Sequence, residues 1–251
     1  FVIGAATLAG VVVIAPVTKY ALDMYPYLFA NTRLSSRLGL LLDKKGYDEL
    51  LAATSSKEAF GLLEDSYYSS IVEHATDFFS FSDALDKDLY ETYVWVHSVT
   101  PEPLQGVVSS LLKRFEILQL KFILNALQQE EAVGEIDFVM DPSFKIKLEG
   151  VRDVASLMNA VEGTMYESVF QNLSLDRLQA VNNSLDRLYI DQVGDAIAQV
   201  KDTNAVGPFV AFHKVLIDLF NIRLTYRSIN KKHDEEFISH GTLSLESLSG
   251  V

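Results

Sequence analysis

Two stretches about 100 residues apart place the same polar residues in the same order on an apolar background, and this duplication limits what the chain can fold into. Over residues 115–125, Glu116 is followed by Gln119 and Lys121. Over residues 217–227, Asp218 is followed by Asn221 and Arg223. Each stretch is an acid, an amide three residues on, then an apolar residue and a base. On a helix these polar groups lie near one face while apolar residues fill the other positions. A helix-face pattern recurring at such a distance predicts a duplicated helical unit. A second pair of landmarks keeps the order: Val161 to Val169 aligns with Leu63 to Ile71, repeating Glu, a hydroxyl residue, Tyr, Ser and a β-branched residue.

The punctuation of the chain agrees with helices. Six prolines and 13 glycines in 251 residues leave few turn clusters, which favours long helices over many short strands. With 49% hydrophobic residues a sizeable core is available. The fold class expected is all-α. The formal net charge is −13, from 34 acids and 21 bases. Such a chain is poorly suited to phosphate backbones or anionic lipid and better suited to a basic partner surface. The absence of cysteine removes disulfides, thiolate catalysis and cysteine metal sites.

The first 17 residues, Phe1 to Val17, carry no charge, and the run is just short of the ~20 apolar residues of a spanning helix. They are expected to touch or enter a membrane, or to form a buried helix. The chain starts at Phe rather than Met and stops at Val251, so both ends read as cuts. Tyr25-Pro26-Tyr27 marks a bend, since proline disfavours helix in the residue before it. An amphipathic helix follows, with Arg33 and Arg37 four residues apart on one face. Ser55 and Glu58 have the spacing of a capping box. The aromatic run Phe78, Phe79, Phe81, Tyr90, Tyr93 and Trp95 is expected to be core. Residues 104–131 form the longest helical pattern. The connector 130–150 contains an alternating segment, Phe144 to Leu148, whose only hairpin partner is Ile136 to Met140, and a lone hairpin is marginal. Ser174 is expected to cap a long helix through Ile197, and residues 209–230 to mirror 104–131. The resulting division is a hydrophobic segment (1–24), helical unit one (25–140), helical unit two (141–240) and the start of a third (241–251).

A search for chemistry finds none. There is no glycine-rich phosphate loop, no serine elbow, and no histidine pair with metal-ligand spacing among His74, His97, His213, His233 and His240. No catalytic, cofactor or metal residues are expected, nor a small-molecule substrate or nucleic acid. Buried polar groups need partners, so Glu116, Gln119, Lys121, Asp218, Asn221 and Arg223 read as structural polar groups that hold each unit together. Arg33 and Arg37 are the candidates for contact with a partner.

Tyr25-Pro26-Tyr27-Leu28-Phe29-Ala30-Asn31-Thr32-Arg33-Leu34 resembles the Tyr-x-Tyr-x-x-Ala-x-x-Arg opening of the C subunit of archaeal A-type and bacterial V/A-type ATP synthases, homologous to the d subunit of eukaryotic V-ATPases. Later landmarks follow in the family's order: Leu50-Leu51, Glu64 to Tyr68, and Glu116 to Lys121, then Glu162 to Tyr166 and Asp218 to Arg223. The likeness runs over roughly residues 25–250. One departure is Asn125-Ala126-Leu127, where the family usually carries Arg and Lys; Arg227 stands at that place in the second stretch. The resemblance implies a funnel-shaped, all-helical protein of three pseudo-repeated units, with an N-terminal hydrophobic helix in some members. It implies no catalysis, and partners in the membrane rotor ring and the central shaft, at the cytoplasmic face of the membrane. The alternative is a helical-repeat, membrane-associated adaptor unrelated to an ATPase.

Overall fold

The computed structural model describes residues 21–75, 77–171, 173, 175–201, 205–228, 238 and 241–243. The described residues are helical and contain no strand. The expectations for Phe1 to Val17, Ser174, Asp202 to Asn204, the charged run 231–236 and residues 244–251 lie outside them. The helices are α1 (residues 21–38), α2 (Lys44–Ala52), α3 (Ser56–Glu64), α4 (Ser69–His74), α5 (Phe78–Val99), α6 (Glu102–Gln128), α7 (Pro142–Glu149), α8 (Val154–Val161), α9 (Glu167–Phe170), α10 (Leu178–Ala198) and α11 (Gly207–Ser228). They divide into two compact units, the first ending at Gln105 and the second starting at Gly106.

Short polar caps set the helix boundaries. Asp43 accepts from the Gly46 N–H, and Asp77 and Ser80 close a reciprocal capping box, as do Asp153 and Ser156. Ser55 accepts the Glu58 N–H, but Glu58 reaches one residue further back and takes the N–H and hydroxyl of Thr54, both at 2.8 Å. Helix α1 runs through Pro26 without a break. The alternating segment Phe144 to Leu148 is helical, not a strand. Asp141 accepts from Ser143 at 2.9 Å and Pro142 occupies the first turn, so a strong start signal overrides the period-two pattern.

Unit one has a thin core of Ala30, Leu63, Ile71 and Val72. No residue of α5 is fully buried. The expected aromatic core is therefore corrected. Phe78 and Phe79 sit in the first turn and are 67% and 78% exposed. The Phe78 and Phe79 rings meet each other edge-on at 6.3 Å, and Phe81 meets Phe60 at 5.0 Å. Unit two is packed more densely: Val107, Leu120, Leu124, Leu148, Leu157 and Leu185 are fully enclosed.

Helices α10 and α11 approach closely at Gly194. A Cβ there would lie 2.9 Å from the ring of His213, which is itself tied to the Ile190 carbonyl at 2.9 Å. Alanine at 194 is expected to destabilise the fold by about 1–2 kcal/mol despite its better helix propensity, because the ring cannot retreat. A urea midpoint equal to or above wild type would refute the clash.

Candidate functional site

The repeated polar stretches face inward within unit two. Glu116, Gln119, Asp218 and Asn221 are all buried. In α6 the Glu116 carboxylate accepts from Lys113 Nζ at 2.8 Å on both oxygens and from the Tyr166 hydroxyl at 2.7 Å. Burial drives the Tyr166 hydroxyl far above its usual range, and the neighbouring Glu116 charge and hydrogen bond add to this, so it stays a neutral donor. Gln119 clamps backbone: its amide donates to the Glu135 carbonyl at 3.1 Å and accepts from the Asp137 N–H at 3.2 Å.

The second copy performs the same operation. Asn221 donates to the Ile238 carbonyl at 2.9 Å and accepts the Ile238 N–H at 3.0 Å. In both copies, then, the amide holds an isoleucine-centred backbone segment lying 16 to 18 residues further on, around Ile136 and at Ile238. Asp218 accepts from the N–H groups of Thr242 and Leu243, at 2.8 and 3.1 Å, and from the Thr242 hydroxyl.

The two bases converge. Lys121 Nζ lies 2.5 Å from Asp186 Oδ1, and Arg223 Nη1 lies 3.4 Å from Asp186 Oδ2. One carboxylate in the middle of α10 thus serves both repeats. The second landmark is duplicated as faithfully. Ser66 and Thr164 each donate a side-chain hydrogen bond to the carbonyl three residues back, at 2.7 and 2.6 Å. Each accepts the tyrosine N–H two residues on, at 3.1 and 3.2 Å. Gly163, with φ +73°, lets the second turn tighten so that Glu167 accepts its N–H at 2.9 Å.

Arg33 and Arg37 lie in unit one and are not equivalent. Arg37 is half-buried, donates to the Tyr67 hydroxyl at 2.7 Å and the Thr92 hydroxyl at 3.0 Å, and sits 4.8 Å from the Trp95 ring centre. Tyr67 passes the link to Asp88 at 3.2 Å. Arg33 is exposed, with its guanidinium about equally far from the Trp95 and Phe29 rings, at 5.9 and 6.0 Å.

Sequence reasoning missed Asp186 and Lys113. Asp186 adjoins the Leu185 and Tyr189 stripe of α10, a weak sign that an acid so placed meets neighbouring helices. Lys113 stands three residues before Glu116, a spacing that brings two side chains together on a helix.

The pH dependence follows from Asp218. Burial pushes its carboxyl up, but the hydrogen bonds from Thr242 and Leu243 outweigh this and hold it below the usual carboxylate range. A depressed folded value contributes stability that is present above the unfolded pKa of ~3.9 and lost as pH falls through the folded one. Asp218→Asn is expected to be less stable than wild type at neutral pH, with the gap closing on acidification. Urea midpoints that stay parallel down to acid pH would remove Asp218 as the cause.

Among the described residues no cluster of metal-ligating side chains is present and no helix is long and apolar enough to cross a membrane. What the fold and its polar ties define is a helical pseudo-repeat protein whose buried polar side chains hold its own backbone and helices. Residues 30–249 match the family model of the ATP synthase (C/AC39) subunit, and the chain belongs to that family of non-catalytic, structural subunits. It is similar to the C subunit of the A-type ATP synthase of Methanothermobacter thermautotrophicus, 25% identical over 238 residues, covering 90% of this chain and 60% of the relative. It is likewise similar to the C subunit of the A-type ATP synthase of Methanocaldococcus jannaschii, 24% identical over 229 residues, covering 84% of this chain and 56% of the relative. The chain therefore spans little more than half the length of these curated relatives.

Proposed function

We propose that this chain is a non-catalytic central-stalk subunit of a rotary A/V-type ATPase. It acts as a socket that couples the membrane rotor ring to the central shaft during ion-transport-linked ATP synthesis or hydrolysis. The observation that carries the reading is the family match over residues 30–249. The duplicated, polar-tied helical units support it, because a torque-bearing coupler needs stiffness and no reactive group. In this reading the repeats run over 25–140 and 141–240, with a third beginning at 241, and close into a funnel. The partners are ring and shaft subunits, on the cytoplasmic face of the membrane, with residues 1–24 in or near the bilayer. Arg33 and Arg37 form the contact pair: Arg33 is exposed, and Arg37, tied to Tyr67 and Thr92, fixes the helix that presents it.

The test is isolation from native membranes under mild detergent. The chain is expected to travel with ring and shaft subunits. Its recovery free of both, from membranes whose ring and shaft remain together, would end the rotor reading.

A further inference from the structure

Helix α1 has two unlike sides. Tyr27, Ala30, Leu34 and Arg37 recur at three- and four-residue steps and form the side that meets the rest of unit one. Ala30 is buried there and the other three are half-buried. Arg37 is fastened by the Tyr67 and Thr92 hydroxyls. The other side carries Leu22, Tyr25, Leu28 and Phe29, whose exposures run from 47% at Phe29 to 68% at Leu22. Thr32 and Ser36 continue it and are also exposed. No charge lies on this side over residues 21–36: Asp23 projects from the opposite side and Arg33 stands at the edge.

The polarity of that side is graded along the helix. Apolar residues fill the half nearest the uncharged run Phe1 to Val17, which ends four residues before α1 starts, and hydroxyls fill the half away from it. The hydroxyls use their donors on the helix itself, Thr32 on the Leu28 carbonyl at 2.9 Å and Ser36 on the Arg33 carbonyl at 2.8 Å. Neither brings an unmet donor when water leaves that side. Tyr25, with an apolar ring and a polar tip, suits a boundary that is apolar below and wet above.

We propose that the Leu22, Tyr25, Leu28 and Phe29 side of α1 lies in a lipid surface, at the boundary between headgroups and acyl chains, with the Ser36 end rising out of it. The proposal rests on residues 1–24 lying in or near the bilayer, and it extends the lipid contact onto a folded helix of unit one. No described helix is long and apolar enough to cross a membrane, so α1 lies along the surface rather than through it. The attraction is apolar. With a net charge of −13 and no base on that side, zwitterionic lipid serves as well as anionic lipid.

The chain has no cysteine, so single sites can be labelled in the full chain. Leu22→Cys, Tyr25→Cys, Leu28→Cys, Asn31→Cys and Lys57→Cys each carry an environment-sensitive fluorophore, and binding to phosphatidylcholine vesicles is followed by flotation and by emission. All five positions are exposed, and unchanged far-UV circular dichroism confirms that the variants fold. Emission is expected to rise about 2-fold or more at 22, 25 and 28, to be quenched there by brominated acyl chains, and to stay unchanged at 31 and 57. Adding Leu22→Asp/Tyr25→Asp is expected to abolish the rise at 28 while the chain still floats. Flotation with no rise at 22, 25 and 28 would overturn the proposal and leave the contact of residues 1–24 standing. Labels already shielded without lipid would overturn it by assigning that side of α1 to a protein contact, and an equal rise at 31 would show that no one side is inserted. A chain that does not float at all would overturn both the proposal and the placement of residues 1–24.

Discussion

Glu116→Ala is expected to lower the unfolding free energy by about 3 kcal/mol, among the largest effects of any single polar substitution in the chain. The carboxylate is 3% exposed and is the acceptor for both Lys113 and the enclosed Tyr166 hydroxyl. Removing it leaves the hydroxyl with no partner in a site that water does not reach. Tyr166→Phe removes the donor instead and leaves Glu116 its lysine, so a loss of only about 1 kcal/mol is expected. Glu116→Leu combined with Tyr166→Phe deletes both ends of the bond and should cost less than the two single changes added together. The measurement is urea unfolding followed by far-UV circular dichroism. The sole tryptophan, Trp95, lies in unit one, so the shift should be clear in the helix signal. A Glu116→Ala loss within the ~0.5 kcal/mol of an ordinary surface change would show that the carboxylate ties nothing.

The second large effect is at Asp186. Asp186→Asn keeps the shape and removes the charge that Lys121 and Arg223 share, and a loss of about 2 kcal/mol is expected. The two bases should not contribute equally. The Lys121 side chain is 19% exposed and the Arg223 side chain 54%, so solvent screens the arginine more strongly. Lys121→Met should therefore cost clearly less in the Asp186→Asn background than in wild type, because its bond to Asp186 is already gone, while the cost of Arg223→Met should differ little between the two backgrounds. Double-mutant cycles at 186/121 and 186/223 measure this directly. A larger coupling at 223 than at 121 would contradict the geometry.

The chain showed its fold class openly because helix periodicity and cap chemistry are local. Asp77, Asp141 and Asp153 announce their helices from two or three residues away. The polar repeat was visible for the same reason, since Glu116, Gln119 and Lys121 lie within six residues. Their partners were not visible. Tyr166 is 50 positions from Glu116 and Asp186 is 65 from Lys121, and nothing in a single sequence links residues at those separations. The expectation of an aromatic core in α5 failed for a related reason. Periodicity tells which face of a helix is apolar, but not whether another element covers it, and Phe78 and Phe79 are left bare. Phe144 to Leu148, where a lone hairpin is marginal, carries an alternating pattern that Asp141 and Pro142 overrule.

The shared carboxylate at 186 also bears on how such a chain can change over generations. After a duplication, two copies ordinarily drift apart independently. Here Lys121 and Arg223, one from each copy, depend on a single acid that belongs to neither polar stretch. Neutralising that acid takes a partner from both bases at once, and the less screened Lys121 loses more by it than Arg223. Across descendants of this duplication, 121 and 186 are therefore expected to vary together more tightly than 223 and 186, and an alignment in which 121 and 186 vary freely would show that the link carries no selective weight.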